Sequence, residues 1–264
     1  SWHKARRLIW LGDMHPEVAT IMSVFGHNEV VNKSIDLACE QFSLPQWLNG
    51  ISTYSMWYLI IQHEWYMHNG NIDFLRHHRA YITGVIDRID ECVDEEGNEN
   101  LAKQRFLDWP SSPNQPGVEA GCRALLSWAL KDAEVLCNLL EEQEHAKKCR
   151  AISKRLKKQI KQPNGLKQAA ALMSIAGLMK PEQACSEVIS VDGAKDFSTF
   201  YGYYMLQALA QAGEYQQALD IIRQYWGGML DLGATTFWED FNLDWIHNAA
   251  RLDDFVPEGK DDIH

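Results

Sequence analysis

Apolar residues recur at helical spacing along almost the whole chain. Residues 51–69 (ISTYSMWYLIIQHEWYMHN) and 72–93 read as two helices joined at Asn69–Gly70–Asn71. Over 117–140 the positions Val118, Cys122, Leu125, Leu126, Ala129, Ala133 and Leu136 lie three or four residues apart, which puts them on one helical face. Residues 142–161 carry a narrower stripe of Cys149, Ile152, Leu156 and Ile160 among basic residues, the pattern of an outer helix with a solvated face. Further helices are predicted over 165–178, 181–190, 199–212 and 215–226. Pro181 suits a first helical turn, Asp196 or Ser198 suits an N-cap, and Gly213 suits the turn between the last two helices. No stretch alternates convincingly with a period of two. The expected fold class is therefore all-α, with roughly ten helices joined by short turns.

The helix pairs repeat weakly. AGLMKPEQA (176–184) and AGEYQQA (212–218) both run from a small-residue helix through Gly and a polar turn into Gln-Ala on a second helix. Helix-hairpin arrays of this kind include tetratricopeptide-type solenoids and toroidal α/α barrels. A solenoid spreads its unusual residues along a groove, whereas a toroid gathers them in the loops at one mouth. Here they gather in loops: WLGDMHPE (10–17), LNGISTYSMW (48–57), FLDWPSSPNQPG (106–117), DFSTFYGYY (196–204) and TTFWED (235–240). One face of a toroid would then collect Trp10, Asp13, Trp57, Asp108, Trp109, Tyr203, Tyr204, Trp238 and Glu239. Aromatic platforms with a few carboxylates among them have the composition of a carbohydrate site. Each residue taken singly also has a structural reading, since an Asp before a helix caps it and a Trp fills a core. The joint pattern favours a site.

Composition narrows the function classes. The chain has 264 residues, 46% of them hydrophobic, which suits a globular protein read here as one domain over 1–264. A net charge of −11 argues against nucleic-acid or anionic-membrane partners and sits easily with a neutral substrate. Ten tryptophans are more than a core of this size ordinarily uses, and indole stacks well on the apolar face of a pyranose. No apolar run approaches membrane-spanning length, and no signal peptide opens the chain. The six cysteines (39, 92, 122, 137, 149 and 185) form no CxxC pair and read as free thiols. HEWYMH (63–68) spaces its histidines five apart where a metalloprotease helix needs four, and His77–His78 on a charged helix reads as surface. No GxSxG, phosphate-cradling loop or Cys/His nucleophile pattern is present. No cofactor and no metal are expected.

RLIWLGDMHPEV, FLDWP followed by GVEAGCRALLSWAL, the run YYMLQALAQAGEYQQALDIIRQYWGGMLDLGATTFWEDF and the closing NAARLDDFVPEGK together resemble the catalytic domain of bacterial α-L-rhamnosidases. The resemblance runs from about residue 7 to the C-terminus. It implies an (α/α)6 barrel and hydrolysis of terminal α-L-rhamnose with inversion, without a metal in the chemistry. Inversion needs one carboxyl to protonate the leaving oxygen and another to activate water on the opposite face of the sugar. The resemblance makes Glu239 the general base, and desolvation against Phe237 and Trp238 is expected to raise its proton affinity. It also implies that Asp13 binds rhamnose hydroxyls, that Trp10, Trp57, Trp109 and Trp238 form walls, and that Asp108 faces the site or caps locally. Tyr203 joins the substrate-binding set.

Two departures bear on activity. Family members carry the general acid a few positions before WLGD, where KARRLIWLGD has Arg6, and an earlier sugar-contacting Asp falls near Ser1. Arginine holds its proton too tightly to donate it, so Asp13 or Glu17 would have to substitute. At the other end, family members continue past a PEGK-type stretch into a last helix, while residues 252–264 end at His264. Five helix pairs in place of six would leave apolar edges for a homodimer partner or a complementary segment to cover. Three readings stay open: a working or formerly working rhamnosidase domain, a relative that only binds sugar, and a helical interaction scaffold. TTFWED and WLGD weigh against the third; Arg6 and the short ends leave the first two undecided. Cytoplasm and periplasm are both compatible with the sequence.

Overall fold

A computed structural model describes residues 9–101 and 105–261; Ser1 and Arg6, and with them the position of the family acid, lie outside the described residues. The described residues form twelve helices: α1 (Met14–Val24), α2 (Glu29–Gln41), α3 (Ser52–Asn69), α4 (Ile72–His77), α5 (Arg79–Asp90), α6 (Gln115–Leu139), α7 (Gln143–Leu156), α8 (Lys167–Ile175), α9 (Pro181–Ala184), α10 (Gly202–Gln211), α11 (Tyr215–Asp231) and α12 (Trp245–Asn248). Among them no β-strand appears, only the isolated bridges Val93–Glu99 and Ala249–Asp261. The all-α expectation holds, and in chain order the longer helices fall into five successive pairs. The chain divides into two compact units, the described residues of Ser1–Phe106 with Cys122–Lys161, and Leu107–Gly121 with those of Gln162–His264.

The first unit is built on α3. Ser52 to Gln62 is buried without a break, because STYSMWYLIIQ carries no charge and Thr53, Ser55 and Gln62 bond inside, to the Phe106 carbonyl, the Leu48 N–H and the Tyr58 hydroxyl. Gly70 ends the helix at φ 65°, and its N–H returns to the Tyr66 carbonyl at 2.7 Å. The single helix predicted over 72–93 is in fact two, α4 and α5, with His78 at the break. That break turns His78 inward, where it is 3% exposed, so the surface reading holds for His77 and fails for His78. Helix α7 stops at Leu156, short of the predicted 161, and Ile160 lies exposed beyond it instead of continuing the buried stripe. Arg123 on α6 is buried and donates to the carbonyl oxygens of Gly97, Leu156 and Gln159 at 2.9, 3.0 and 2.9 Å. One guanidinium thus ties the turn at Gly97 to the end of α7, where the Leu156 carbonyl also accepts from the Gln159 N–H at 3.2 Å.

Close approach shapes the second unit. A Cβ on Gly117 would lie 2.6 Å from Leu166, and one on Gly121 would lie 2.5 Å from Leu107 and 3.3 Å from the Ala169 Cα. The small residues of GVEAG therefore serve packing against the start of α8. Helices α8, α10 and α11 end alike, on left-handed Gly177, Gly213 and Gly233 (φ 75°, 81° and 90°). In each, the next N–H reaches back five residues: Leu178 to Met173 at 2.8 Å, Glu214 to Leu209 at 2.9 Å, and Ala234 to Met229 at 3.0 Å. This closure is the physical cause of the AG repeat, and it reveals a third copy at LGATTFWED. Pro181 occupies the first turn of α9 as expected, and a π-helical turn over Cys185–Ile189 follows. Helix α10 begins three residues later than predicted, and its N-cap is Tyr201, without a side-chain cap, in place of the expected Asp196 or Ser198. Helix α11 runs on through Gly227 and Gly228 to Asp231, because the bare Gly228 admits Ile246 and Phe241.

Arg123→Met would remove a buried donor shared by three carbonyls, of which that of Leu156 would keep the Gln159 N–H. We expect a loss of about 2–4 kcal/mol in urea unfolding. A change within about 0.5 kcal/mol would show that the guanidinium is dispensable.

Candidate active site

In the second unit, the closure at Gly233 launches the loop that carries Trp238 and Glu239. Its far side is fixed by the Leu252 N–H on the Leu232 carbonyl (2.9 Å) and by Arg251 on the Asp231 carbonyl (2.7 Å). Phe241 is buried edge-on against Tyr225, Trp238 and Trp245, with centroids at 5.2, 5.7 and 5.9 Å. The Tyr225 hydroxyl donates to the Phe241 carbonyl at 3.1 Å, and the Thr199 hydroxyl donates to the Trp238 carbonyl at 2.6 Å. Glu239 stands at the surface on this frame, and the Trp109 indole N–H donates to its Oε1 at 3.2 Å. Trp109 itself is 62% exposed. Trp238 is half-buried. The desolvation expected at Glu239 is absent: Phe237 turns away and lines an apolar groove with Ile222, Trp226 and Leu230, leaving the carboxylate in water.

Asp108, one residue before Trp109, is buried and fully engaged. Its Oδ2 accepts from the Ser198 hydroxyl at 2.6 Å and from Gln168 Nε2 at 3.0 Å, while its Oδ1 accepts from the Ser111 N–H at 3.0 Å. The structure thus gives Asp108 a positioning role, tying the turn that carries Trp109 to α8 and to the 196–204 segment. Lys167, also on α8, anchors the turn that leads into that segment. Its buried Nζ donates to the carbonyls of Val191 and Gly193 at 2.7 Å each and lies 5.1 Å from the Phe197 ring centre. Burial pushes its pKa down to about 8, with Asp196 and Asp192 opposing the shift. Tyr203, on the first turn of α10, is 43% exposed and packs edge-on against buried Tyr204.

In the first unit, Trp10 and Asp13 share one short turn. Asn49 pins it, accepting from the Leu11 N–H at 3.2 Å and donating to the Ile9 carbonyl at 2.9 Å. Gly12 is obligatory there, because a Cβ would stand 2.1 Å from the Tyr54 ring. Trp10 is 42% exposed and meets Tyr54 edge-on, and Asp13 is exposed at the entry to α1. Trp57 differs from its expected role as a wall. It is 2% exposed, stacked on His15 at 5.0 Å and edge-on to Trp128 at 5.7 Å, so its faces are taken by the core. His15 in turn meets the Glu64 carboxylate at 2.9 Å. Glu17, in the first turn of α1, lies on an exposed residue, yet partial desolvation raises its carboxyl above the ordinary glutamate value.

Sequence reasoning missed Gln168, Ser198 and Thr199 as site supports, and Asn49, His15 and Glu64 as those of the Trp10 turn. Ser198 and Thr199 lay within a flagged loop, and Asn49 before Gly50 carried a turn signal. Gln168 and Glu64 sit inside helices and gave none.

Lys167 sheds its proton more readily in the folded chain, near pH 8, than when unfolded, near pH 10.4. Between those values the unfolded chain binds more protons, so this lysine's contribution to stability rises with pH. Urea unfolding of the native chain and of Lys167→Met at pH 7.5 and 10 should show the native chain gaining on the variant. An unchanged difference would refute the shift.

Residues 3–174 match the family described as the bacterial alpha-L-rhamnosidase 6 hairpin glycosidase domain. The same fold occurs in a rhamnosidase from Klebsiella oxytoca with rhamnose bound, at 18% identity and a TM-score of 0.73, covering 98% of this chain and 55% of that one. A GH78 family rhamnosidase of Bacillus sp. GL1 is similar at 20% identity and a TM-score of 0.68, covering 88% of this chain and 28% of its own. The chain thus spans about half of the first relative's length and less of the second's. No curated protein sequence matches it. Helical hairpins throughout the described residues and a family match over most of the chain agree with the (α/α)6 class expected from the sequence. The chain belongs to the bacterial α-L-rhamnosidase six-hairpin glycosidase domain family.

Proposed function

We propose that this domain hydrolyses terminal α-L-rhamnosides with inversion, and that Glu239 is the general base. The observation that carries the reading is the Trp109–Glu239 hydrogen bond, which joins two sequence stretches flagged independently for carbohydrate chemistry. The indole N–H occupies one lone pair of Oε1 and fixes the carboxylate, while Oε2 remains to take a proton from water attacking the anomeric carbon. Exposed indole at Trp109 and half-buried indole at Trp238 supply apolar surface for the pyranose ring and its methyl group. The same resemblance proposes Trp10 and Asp13 as sugar contacts, and the loop pattern adds Tyr203. With arginine at residue 6, Asp13 and Glu17 are the carboxyls proposed for proton donation, and the raised affinity of Glu17 for its proton suits that task.

A second reading, sugar binding without turnover, is favoured by Arg6 alone. Release of the chromophore from an aryl α-L-rhamnoside separates the two. We expect turnover by the whole chain, with the inverted anomer as first product by NMR, and a loss of about 10²–10⁴-fold in Glu239→Gln. Turnover that survives Glu239→Gln would remove the base assignment. Rhamnose binding by a folded chain without any turnover would establish the second reading.

Trp109→Phe keeps the aromatic surface and deletes the N–H. Its kcat should fall about tenfold, the equivalent of one misplaced hydrogen bond, with KM little changed. An equal rise in KM at constant kcat would instead make Trp109 a sugar platform only.

A further inference from the structure

Helices α2 and α4 and the break before α5 bring Asp36, His77 and His78 together in the first unit. His78 Nε2 lies 2.8 Å from Asp36 Oδ1, and His77 Nε2 lies 3.7 Å from the same oxygen. One ligand atom from each of the three residues falls within 4.8 Å of the others. His78 is buried under the Phe74 ring at 4.7 Å, while the His77 side chain is 71% exposed and that of Asp36 36%, so the cluster opens to solvent on one side.

We propose that Asp36, His77 and His78 bind a divalent transition-metal ion of the zinc class, with solvent as the fourth ligand. Two imidazole nitrogens and one carboxylate oxygen form a donor set of zinc type, whereas magnesium and calcium favour oxygen alone. At zinc–ligand lengths of about 2.0–2.1 Å, tetrahedral donor atoms stand about 3.3 Å apart. The Asp36–His78 pair opens slightly to reach that spacing and the Asp36–His77 pair closes slightly, which the exposed His77 side chain permits. Adjacent histidines on a continuous helix point to different sides. They converge here only because the helix breaks at His78, which is why the spacing carried no metal signal in the sequence.

The far side of His78 is prepared for such a ligand. Its Nδ1 lies 3.1 Å from the Tyr58 hydroxyl, whose oxygen also accepts from Gln62 Nε2 at 3.2 Å. When the ion takes the place at Nε2, the ring proton moves to Nδ1 and is donated to the Tyr58 oxygen, so the imidazole stays neutral. Cys39 Sγ lies 3.8 Å from Nδ1, behind the ring, and so stays outside the donor set. Burial pushes its thiol up to about 12. A partner on the second ring nitrogen that fixes the tautomer is what metal-binding imidazoles ordinarily have. The bound ion would staple α2 to the α4–α5 turn.

The test uses the whole chain after chelator treatment. Calorimetric titration should show one equivalent of zinc bound, and zinc should raise the thermal unfolding midpoint where magnesium does not. Cobalt in its place should give the intense visible bands of a four-coordinate site. His77→Ala, an exposed substitution that leaves the core intact, and Asp36→Asn should each weaken zinc binding at least about tenfold. Absence of binding to the native chain overturns the proposal. So does equal affinity in both variants, which would place the ion on other histidines.

Discussion

A carboxylate buried without a cation has to be satisfied by donors, and the second unit is organised around one. Asp108 receives Ser198, Gln168 and the Ser111 N–H, so three separate segments end on a single side chain. Leaving such a group unpaired would cost several kcal/mol, and the segments are therefore held where the hydrogen bonds require. The consequence reaches the chemistry through the neighbouring residues. Trp109 follows Asp108 and grips Glu239, and Thr199 follows Ser198 and holds the Trp238 carbonyl. A structural carboxylate thus sets the position of the one proposed as the base, without touching it.

The glycines impose the second constraint. At Gly177, Gly213 and Gly233 the left-handed turn stops a helix and sends the chain back, and a Cβ at any of the three would strain the backbone. Gly233 has a further reason to be bare. A Cβ there would stand 2.9 Å from Asp253 Oδ1 and 3.3 Å from the Leu252 nitrogen, where the C-terminal segment crosses the end of α11. The loop bearing Glu239 is pinned at its root by the same turn that ends the helix before it.

Much of this was legible in the sequence, and the failures have physical causes. Helices over 51–69 and 117–140 were readable because burial and periodicity are local properties of the chain. The Gly-anchored repeat was visible because left-handed helix ends leave a compositional mark. The break at His78 was not, because the partners that meet it, Tyr58 and Asp36, lie 20 and 42 residues away. Ser198 looked like a cap, since a serine before a helix usually is one; its hydroxyl instead answers Asp108, 90 residues away. Trp57 was grouped with the sugar walls by its position near a loop, yet its neighbours His15 and Trp128 cover it. The family motifs located Glu239, but its hydrogen bond to Trp109 spans 130 residues and had no sequence signal.

The exposure of Glu239 bears on how the proposed reaction would be tuned. Aromatic neighbours in sequence suggested a carboxylate desolvated by its own chain. In the structure Phe237 faces a groove beside α11, and only the Trp109 N–H contacts the carboxylate among its hydrogen-bond partners described above. A carboxylate left in water before substrate arrives is desolvated only when something displaces that water. Under the proposed function, the sugar itself is that agent, since a pyranose laid on indole would exclude solvent from the carboxylate beside it. That assigns the hydrogen bond from Trp109 its purpose: it keeps one oxygen oriented while the other changes its surroundings.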